Sequence, residues 1–363
     1  MVLRGLFFVL LVLISSLLGV TFFHSFLLLL LFLSPCLHRC LVDAIIASWL
    51  VFCSALLECF LGMRVVISGD EIRSNEASLL LMNHRTRLDW MYLWSVLLRQ
   101  SGVKMEKIIL KTPLKLIPGA GWAMQVGGFL FINRKWEEDK LILDKMLDYY
   151  ADLNHKTQIL LFPEGTDLTE RTLSYSDRFA AKNGLQPYKF CLHPRTTGFV
   201  HLVQQMQCNK HLDAIYDISI AYPDTFPQNE PDLILGEFPS EVHFHIKRHE
   251  ASSLPSSPDD LAAWCAAIWR QKEEVLKNFA QTKRFTDEPS SPDRGPRFLF
   301  YATMVSWLVS VWAISWLLWS SSLAFWLAAL QVAFFVYMGH FYGGFELFQA
   351  DYYNRFFNRK KHS

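Results

Sequence analysis

Leu79-Leu-Leu-Met-Asn-His-Arg-Thr-Arg-Leu-Asp-Trp90 is the stretch on which the fold of this chain turns. Its apolar run, Leu79 to Met82, reads as a buried strand that stops at Asn83-His84. From Leu88 apolar side chains recur at helical spacing, at Met91, Tyr92, Trp94 and Leu98. A polar corner therefore joins a strand to a helix and presents His84 with Asp89 five residues later. Five residues is the wrong spacing for one helical face, but it suits a loop that folds back on the helix start. In that geometry His84 serves as a general base, while Asp89 fixes its tautomer and stabilises the imidazolium. The same residues also fit a capping box, with Thr86 as N-cap and Asp89 three positions on. From these residues alone, Asp89 is open to both roles.

Composition places the chain at a membrane. Of its 363 residues 52% are hydrophobic and 15% aromatic, while only 19% are charged. A net charge of +1 gives no footing for nucleic acid. Seven cysteines, an odd number without a C-x-x-C pair, argue against a disulfide framework or a zinc site and for free thiols. The apolar excess sits at the two ends. Leu6 to Leu33 carries no Asp, Glu, Lys or Arg, and Arg4 in front of it resembles the start of a signal peptide. The run is too long for one and lacks a small-x-small cleavage site, so we expect a retained anchor. Leu41 to Leu61 either spans or forms the second arm of a re-entrant hairpin. Phe298 to Phe345 would reach ~70 Å as one helix, against a ~30 Å hydrocarbon core. A two-span hairpin turning at Ser320-Ser321-Ser322 fits better, with interfacial anchors among Trp307, Trp312, Trp316, Trp319 and Trp326, too many for all to sit at a belt. The expected organisation is an anchor over 1–61, a central domain over 62–284, a Pro/Ser-rich linker over 285–297, a transmembrane hairpin over 298–345 and a basic tail over 346–363.

The middle alternates strands and helices, which predicts an α/β layered domain. Strands are expected at 64–68, 77–82, 105–110, 129–132, 158–162, 214–221 and 241–247, and helices at 88–100, 136–153 and 259–282. Three clusters follow strand ends, where open α/β sheets bind ligands. Gly127-Gly-Phe-Leu-Phe-Ile-Asn-Arg134 delivers Arg134, whose planar fork suits a phosphate and which by itself also fits a solvated strand end. Leu161-Phe-Pro-Glu-Gly-Thr-Asp167 places Glu164, Gly165 and Thr166 in a tight corner, and by itself is also an ordinary turn. Leu192-His-Pro-Arg-Thr-Thr-Gly198 carries Arg195, with His193 read as a bystander. Lys104, Lys107, Lys111 and Lys115 form a basic segment that suits either a CoA phosphate or a solvated face.

Taken in order, these clusters resemble the glycerolipid acyltransferase family that includes the lysophosphatidic acid acyltransferases. His84 and Asp89 match its H-x4-D motif, Phe129 to Arg134 its second block, and Phe162-Pro-Glu-Gly-Thr166 its third. Two positions depart from the pattern. Asn133 stands where many members have Asp, and the fourth block reads Leu192-His-Pro-Arg195. The resemblance implies transfer of an acyl group from acyl-CoA, a co-substrate, to the hydroxyl of a lysophospholipid, with no cofactor and no metal. His84 would be the base and Asp89 its support. Arg134, Glu164, Gly165, Thr166 and Arg195 would bind substrate, and backbone N–H groups near Asn83 or the helix start would hold the oxyanion. Lysocardiolipin, lysophosphatidylinositol and lysophosphatidylglycerol stay unranked as acceptors. A CoA-independent transacylase and a non-catalytic membrane adaptor are the other readings. Lys360-Lys361 resembles a dilysine retrieval signal. With the basic tail, it leads us to expect the endoplasmic reticulum membrane and a cytosolic catalytic domain.

Overall fold

Strand β2 (Ser78–Met82) is buried along its whole length, and a strand with no polar face must be covered on both sides. The computed structural model describes residues 2–285 and 295–357, so Lys360-Lys361 and most of the expected linker lie outside the described residues. β5 (Gln158–Leu161) runs parallel to β2 on one edge, with Leu160 opposite Leu80. β6 (Ala214–Ala221) runs parallel on the other, with Tyr216 opposite the same residue. β7 (Glu241–Glu250) is antiparallel to β6, and β1 (Arg64–Gly69) is parallel to β7, giving the order β1-β7-β6-β2-β5. Leu79, Leu80 and Leu81 are fully enclosed, each contributing about 1.5–3 kcal/mol by leaving water.

These strands belong to one of two compact units, formed by residues up to Leu6, by Leu57–Gly102 and by the described residues from Lys156 to Arg297. Its helices are α3 (Asp89–Arg99), α6 (Glu170–Lys182), α7 (Thr196–Cys208), the short α8 (Glu230–Ile234) and α9 (Pro258–Thr282). α9 begins at Ser257, whose hydroxyl accepts from Asp260 N–H, with acidic residues in its first turn as the helix dipole favours. β2, β5 and β6 share one direction, so their carboxyl ends lie along one edge of the sheet. That edge carries Asn83-His84, Phe162 to Thr166, and Tyr222.

The second unit comprises Phe7–Leu56, Val103–His155 and the described residues from Phe298 on. It holds the long helices α1 (Val2–Leu33, from Phe7 on), α2 (Pro35–Ala55, which continues as a π-helical turn to Phe60 outside this unit), α10 (Arg297–Ser320, from Phe298 on) and α11 (Ser322–Tyr337). It also contains the parallel pair β3 (Glu106–Lys111) and β4 (Leu130–Ile132), with α4 (Ala120–Val126), α5 (Trp136–Asp152) and α12 (Phe345–Phe356). Among the described residues, four stretches are long and apolar enough to cross a membrane: Val2–Leu33, Pro35–Phe60, Arg297–Ser320 and Ser322–Tyr342.

Several expectations need correction here. The amino-terminal anchor is not a domain of its own. Val20, Leu31 and Val42 share a core with Trp122, Val126, Phe335, Met338 and Phe345, so the apolar helices pack around α4 and α12. α2 is the most enclosed of the four candidate spans, with 61% of its apolar window buried, and it carries a buried Arg39–Asp43 pair. The expected tail is helical as far as Phe356, because Glu346 is buried against Lys115 at 2.6 Å. Trp307 is no belt residue: it is buried and donates to Ser48 Oγ at 2.8 Å. Trp312, Trp316, Trp319 and Trp326 are exposed, as interfacial anchors require. The turn falls where expected, with Ser321 capping α11.

Candidate active site

Asn83 ends β2 by imitating a strand residue. Its side-chain amide donates to the Ile220 carbonyl at 3.1 Å and accepts from Ile220 N–H at 2.8 Å, so the sheet continues through a side chain while the backbone turns away. His84 is thereby delivered to the sheet edge, where Phe162 stacks on its ring with 4.1 Å between centroids. Its Nδ1 lies 3.1 Å from Asp89 Oδ2. A carboxylate only accepts, so Nδ1 carries the proton and Nε2 holds the lone pair.

Asp89 is fully buried and has all its acceptor capacity in use. Oδ2 also takes Thr86 N–H at 2.9 Å. Oδ1 takes the Thr86 hydroxyl at 3.1 Å and the Tyr222 hydroxyl at 2.6 Å. Burial and the neighbouring carboxylate push the Tyr222 phenol well up, which keeps it a donor. The two readings of Asp89 are therefore one arrangement. The carboxylate reaches back to Thr86 as a capping box would, and it also orients the imidazole. The helix itself starts at Asp89, not after Thr86, whose hydroxyl instead accepts from Leu88 N–H.

Glu164 lies beneath this pair. It is 3% exposed and accepts from His84 N–H at 3.2 Å, Leu192 N–H at 3.0 Å and Trp269 Nε1–H at 3.3 Å, tying three loops and α9 together. Burial pushes its carboxyl up to about 7, against the pull of those donors and of His84. Glu273, one turn along α9 from Trp269, collects the N–H groups of Lys189, Phe190 and Cys191 at 2.7, 3.0 and 3.1 Å, and so shapes the approach to Arg195.

Gly165 stands at φ 74, a left-handed conformation that any side chain would strain. Arg195 N–H donates to the Pro163 carbonyl at 2.8 Å, and its exposed side chain passes over Gly165. Thr166 is half-buried and directs its hydroxyl to Asp167 at 3.4 Å. His193 is stacked on Tyr188 and bonded to the Gln186 carbonyl.

A family model described as Acyltransferase matches residues 64–222, and one described as Acyltransferase C-terminus matches residues 232–307. Lysocardiolipin acyltransferase 1 of Mus musculus is 42% identical over 99% of this chain and 97% of its own length. The chain belongs to the acyltransferase family. Lysocardiolipin acyltransferase 1 of Danio rerio is 49% identical over 79% of this chain and 74% of its own. Lysophosphatidylinositol acyltransferase 10 of Caenorhabditis elegans is 39% identical over 85% and 83%.

Within this acyltransferase, the first unit brings together His84, Asp89, Glu164, Gly165, Thr166 and Arg195. Arg134 follows β4 in the second unit, at φ 62. Of the N–H groups near Asn83 and the helix start, those of His84, Thr86, Arg87 and Leu88 are committed, to Glu164, Asp89, the Gln228 carbonyl and Thr86. Sequence reasoning missed Tyr222, Phe162 and Trp269 as parts of the site. Tyr222 and Phe162 end the two strands that flank or pair with β2, a positional signal. Trp269 gave none, since an aromatic on an amphipathic helix reads as core.

The raised Glu164 carboxyl makes a signed prediction. The unfolded chain loses this proton near 4.5 and the folded protein near 7, so its contribution is complete below pH 4.5 and is lost as pH rises to 7. Wild type should therefore lose about 3 kcal/mol relative to Glu164→Gln across that window. Thermal unfolding of both proteins between pH 4.5 and 7.5 in one detergent checks this; parallel curves would show that Glu164 ionises normally.

Proposed function

We propose that this acyltransferase moves a fatty acyl group from acyl-CoA to a free hydroxyl of a lysophospholipid, remodelling the phospholipids of its own membrane. The observation that carries this reading is His84, with its Nε2 lone pair at the sheet edge and a buried, fully bonded Asp89 behind Nδ1. A thioester is already activated, so a base suffices and no covalent nucleophile is needed. The acceptor oxygen bonds to the thioester carbon as Nε2 takes its proton. The tetrahedral intermediate then expels CoA thiolate, which recovers that proton from the imidazolium. Glu164 acts as a positioning residue that holds the His84 backbone. Arg195 and Arg134 supply cationic forks for acceptor phosphate, with Gly165 and Thr166 shaping the approach.

The names of two relatives, a lysocardiolipin and a lysophosphatidylinositol acyltransferase, support a lysophospholipid acceptor, and lysophosphatidylglycerol stands beside those two as a third candidate. The test is purified protein assayed with these lysolipids and several acyl-CoAs, beside phospholipid donors without CoA. Acyl transfer is expected from acyl-CoA alone, and transfer from phospholipid without CoA would replace this reading by a transacylase. For Arg134→Ala the expected result is a raised KM for lysophospholipid with little change for acyl-CoA. The reverse pattern would move Arg134 to the donor side. We infer residence in the endoplasmic reticulum with a cytosolic catalytic unit, where acyl-CoA is supplied. Protection of an internal tag at the carboxyl end from protease in sealed microsomes would overturn that orientation.

A further inference from the structure

The basic segment of the sequence does not form a basic surface. Lys107 joins Arg39 and Asp43 in a buried cluster, 2.9 Å from Asp43 Oδ1, and Lys115 is buried against Glu346. Exposed cations line up instead on α6, where the helical period places Arg171, Tyr175, Arg178 and Lys182 on one face. All four are exposed, Tyr175 at 51%. The opposite face packs into the first unit, with Ser176 and Ala180 its buried residues. Phe179 borders the outward stripe at 49% exposed, and Leu185, just past the helix end, is 41% exposed. The acidic residues of the helix, Glu170 and Asp177, lie two turns apart and so fall together on a separate flank.

Two separate observations say what covers this face. The first is charge: three cations share it with no carboxylate among them. The Arg178 guanidinium lies 4.5 Å from the centre of the Tyr175 ring, and Arg171 Nε reaches the Tyr175 hydroxyl at 3.5 Å. Such a stripe complements an anionic surface. The second is the pair of aromatic rings, Tyr175 and Phe179, left half in the open beside those cations. A solvated face gains nothing from them, whereas cations interleaved with aromatic rings are what a helix lying at a headgroup layer carries. A bilayer is within reach, because the first unit is continuous at Phe60 and at Arg297 with stretches apolar enough to span one.

We propose that α6 docks on the anionic lipid surface of the membrane that holds the chain. Arg171, Arg178 and Lys182 meet lipid phosphates, and Tyr175 and Phe179 sit at headgroup depth. The approach to this helix is bonded to the His84 corner: Leu168 N–H donates to the His84 carbonyl at 2.8 Å, and Thr169 caps α6. Docking therefore keeps His84 within about one helix length of lipid, ~20 Å for 13 residues. The contact itself does not depend on the donor or acceptor assigned above.

Hydrogen exchange reads this contact without an activity assay. Full-length protein is placed in phosphatidylcholine nanodiscs with or without phosphatidylglycerol, and amide exchange over 170–185 is followed by peptide mass spectrometry. Phosphatidylglycerol is expected to slow that segment several-fold, leaving α7 unchanged, and 1 M salt is expected to abolish the difference. Arg171→Gln, Arg178→Gln and Lys182→Gln together should remove the response, each cation near an anionic leaflet being worth about fivefold. Arg171→Lys, Arg178→Lys and Lys182→Arg together should keep it. Each variant is compared with itself in the neutral disc, so a weakened helix does not imitate lost docking. The proposal is overturned if the two discs exchange alike over 170–185, if α7 slows as much as α6, or if the glutamine variant responds as wild type does. Slowing that follows protein concentration in detergent, without regard to lipid charge, would assign the face to a second copy and overturn it likewise.

Discussion

His84→Ala is expected to lower turnover by about 10²- to 10⁴-fold, the usual scale for a general base, with the fold intact. The ring is half-buried, its main partners are Asp89 and the stacked Phe162, and its backbone stays bonded to Glu164 whatever the side chain. Loss of the imidazole therefore removes Nε2 without unmaking the corner. No other base in the corner can stand in, because Asp89 has both oxygens engaged inside the protein and Glu164 is spent on three donors. Turnover of monodisperse variant, normalised to folded protein, decides the matter. Activity within a few-fold of wild type would remove His84 from the chemical step.

Asp89→Asn should damage both stability and turnover, since one carboxylate carries both tasks. Four donors converge on it: Thr86 N–H, the Thr86 and Tyr222 hydroxyls, and His84 Nδ1–H. An amide has one accepting oxygen and turns an NH₂ toward two of them. Unanswered buried groups of this kind cost about 1–3 kcal/mol. An amide facing Nδ1 also favours the tautomer with hydrogen on Nε2, which removes the base, so turnover per folded molecule should fall by about 10²- to 10⁴-fold. A thermal unfolding curve and a normalised rate on the same sample separate the two effects. A destabilised variant with near-normal turnover would reduce Asp89 to a cap.

Much of this was legible before any coordinates. β2, β5 and β6 announce themselves as continuous apolar runs, and the His84 corner announces itself because polar residues interrupt such a run and a helical period restarts after it. α6 and α7 were missed because their surroundings are rich in loop-forming residues. α6 is amphipathic but carries few large apolar side chains, and only Ser176 and Ala180 on it are buried. Boundaries shifted by a residue or two, as at Thr86, where side-chain bonds compete with the helix for the same N–H groups. Arg195 and Gly165 were found separately, but that one passes over the other follows from a backbone bond between Arg195 and Pro163. Nothing local encodes it. The role of Glu164 was the least legible of all, since a glutamate in a turn ordinarily faces water.

The Arg39–Asp43 pair also bears on how the chain is made. α2 leaves the ribosome as a stretch apolar enough to enter a bilayer, yet each of its ions would cost about 2.5–3.5 kcal/mol at mid-membrane. Lys107, which completes the cluster, follows Asp43 by 64 residues, so at about 5–20 residues per second it emerges roughly 3–13 s later. For that interval arginine and aspartate, one turn apart, have only each other. Synthesis thus passes through a stage in which this helix is committed before its counter-charges exist, and the mutual i,i+4 pairing of Arg39 with Asp43 is what lets it wait.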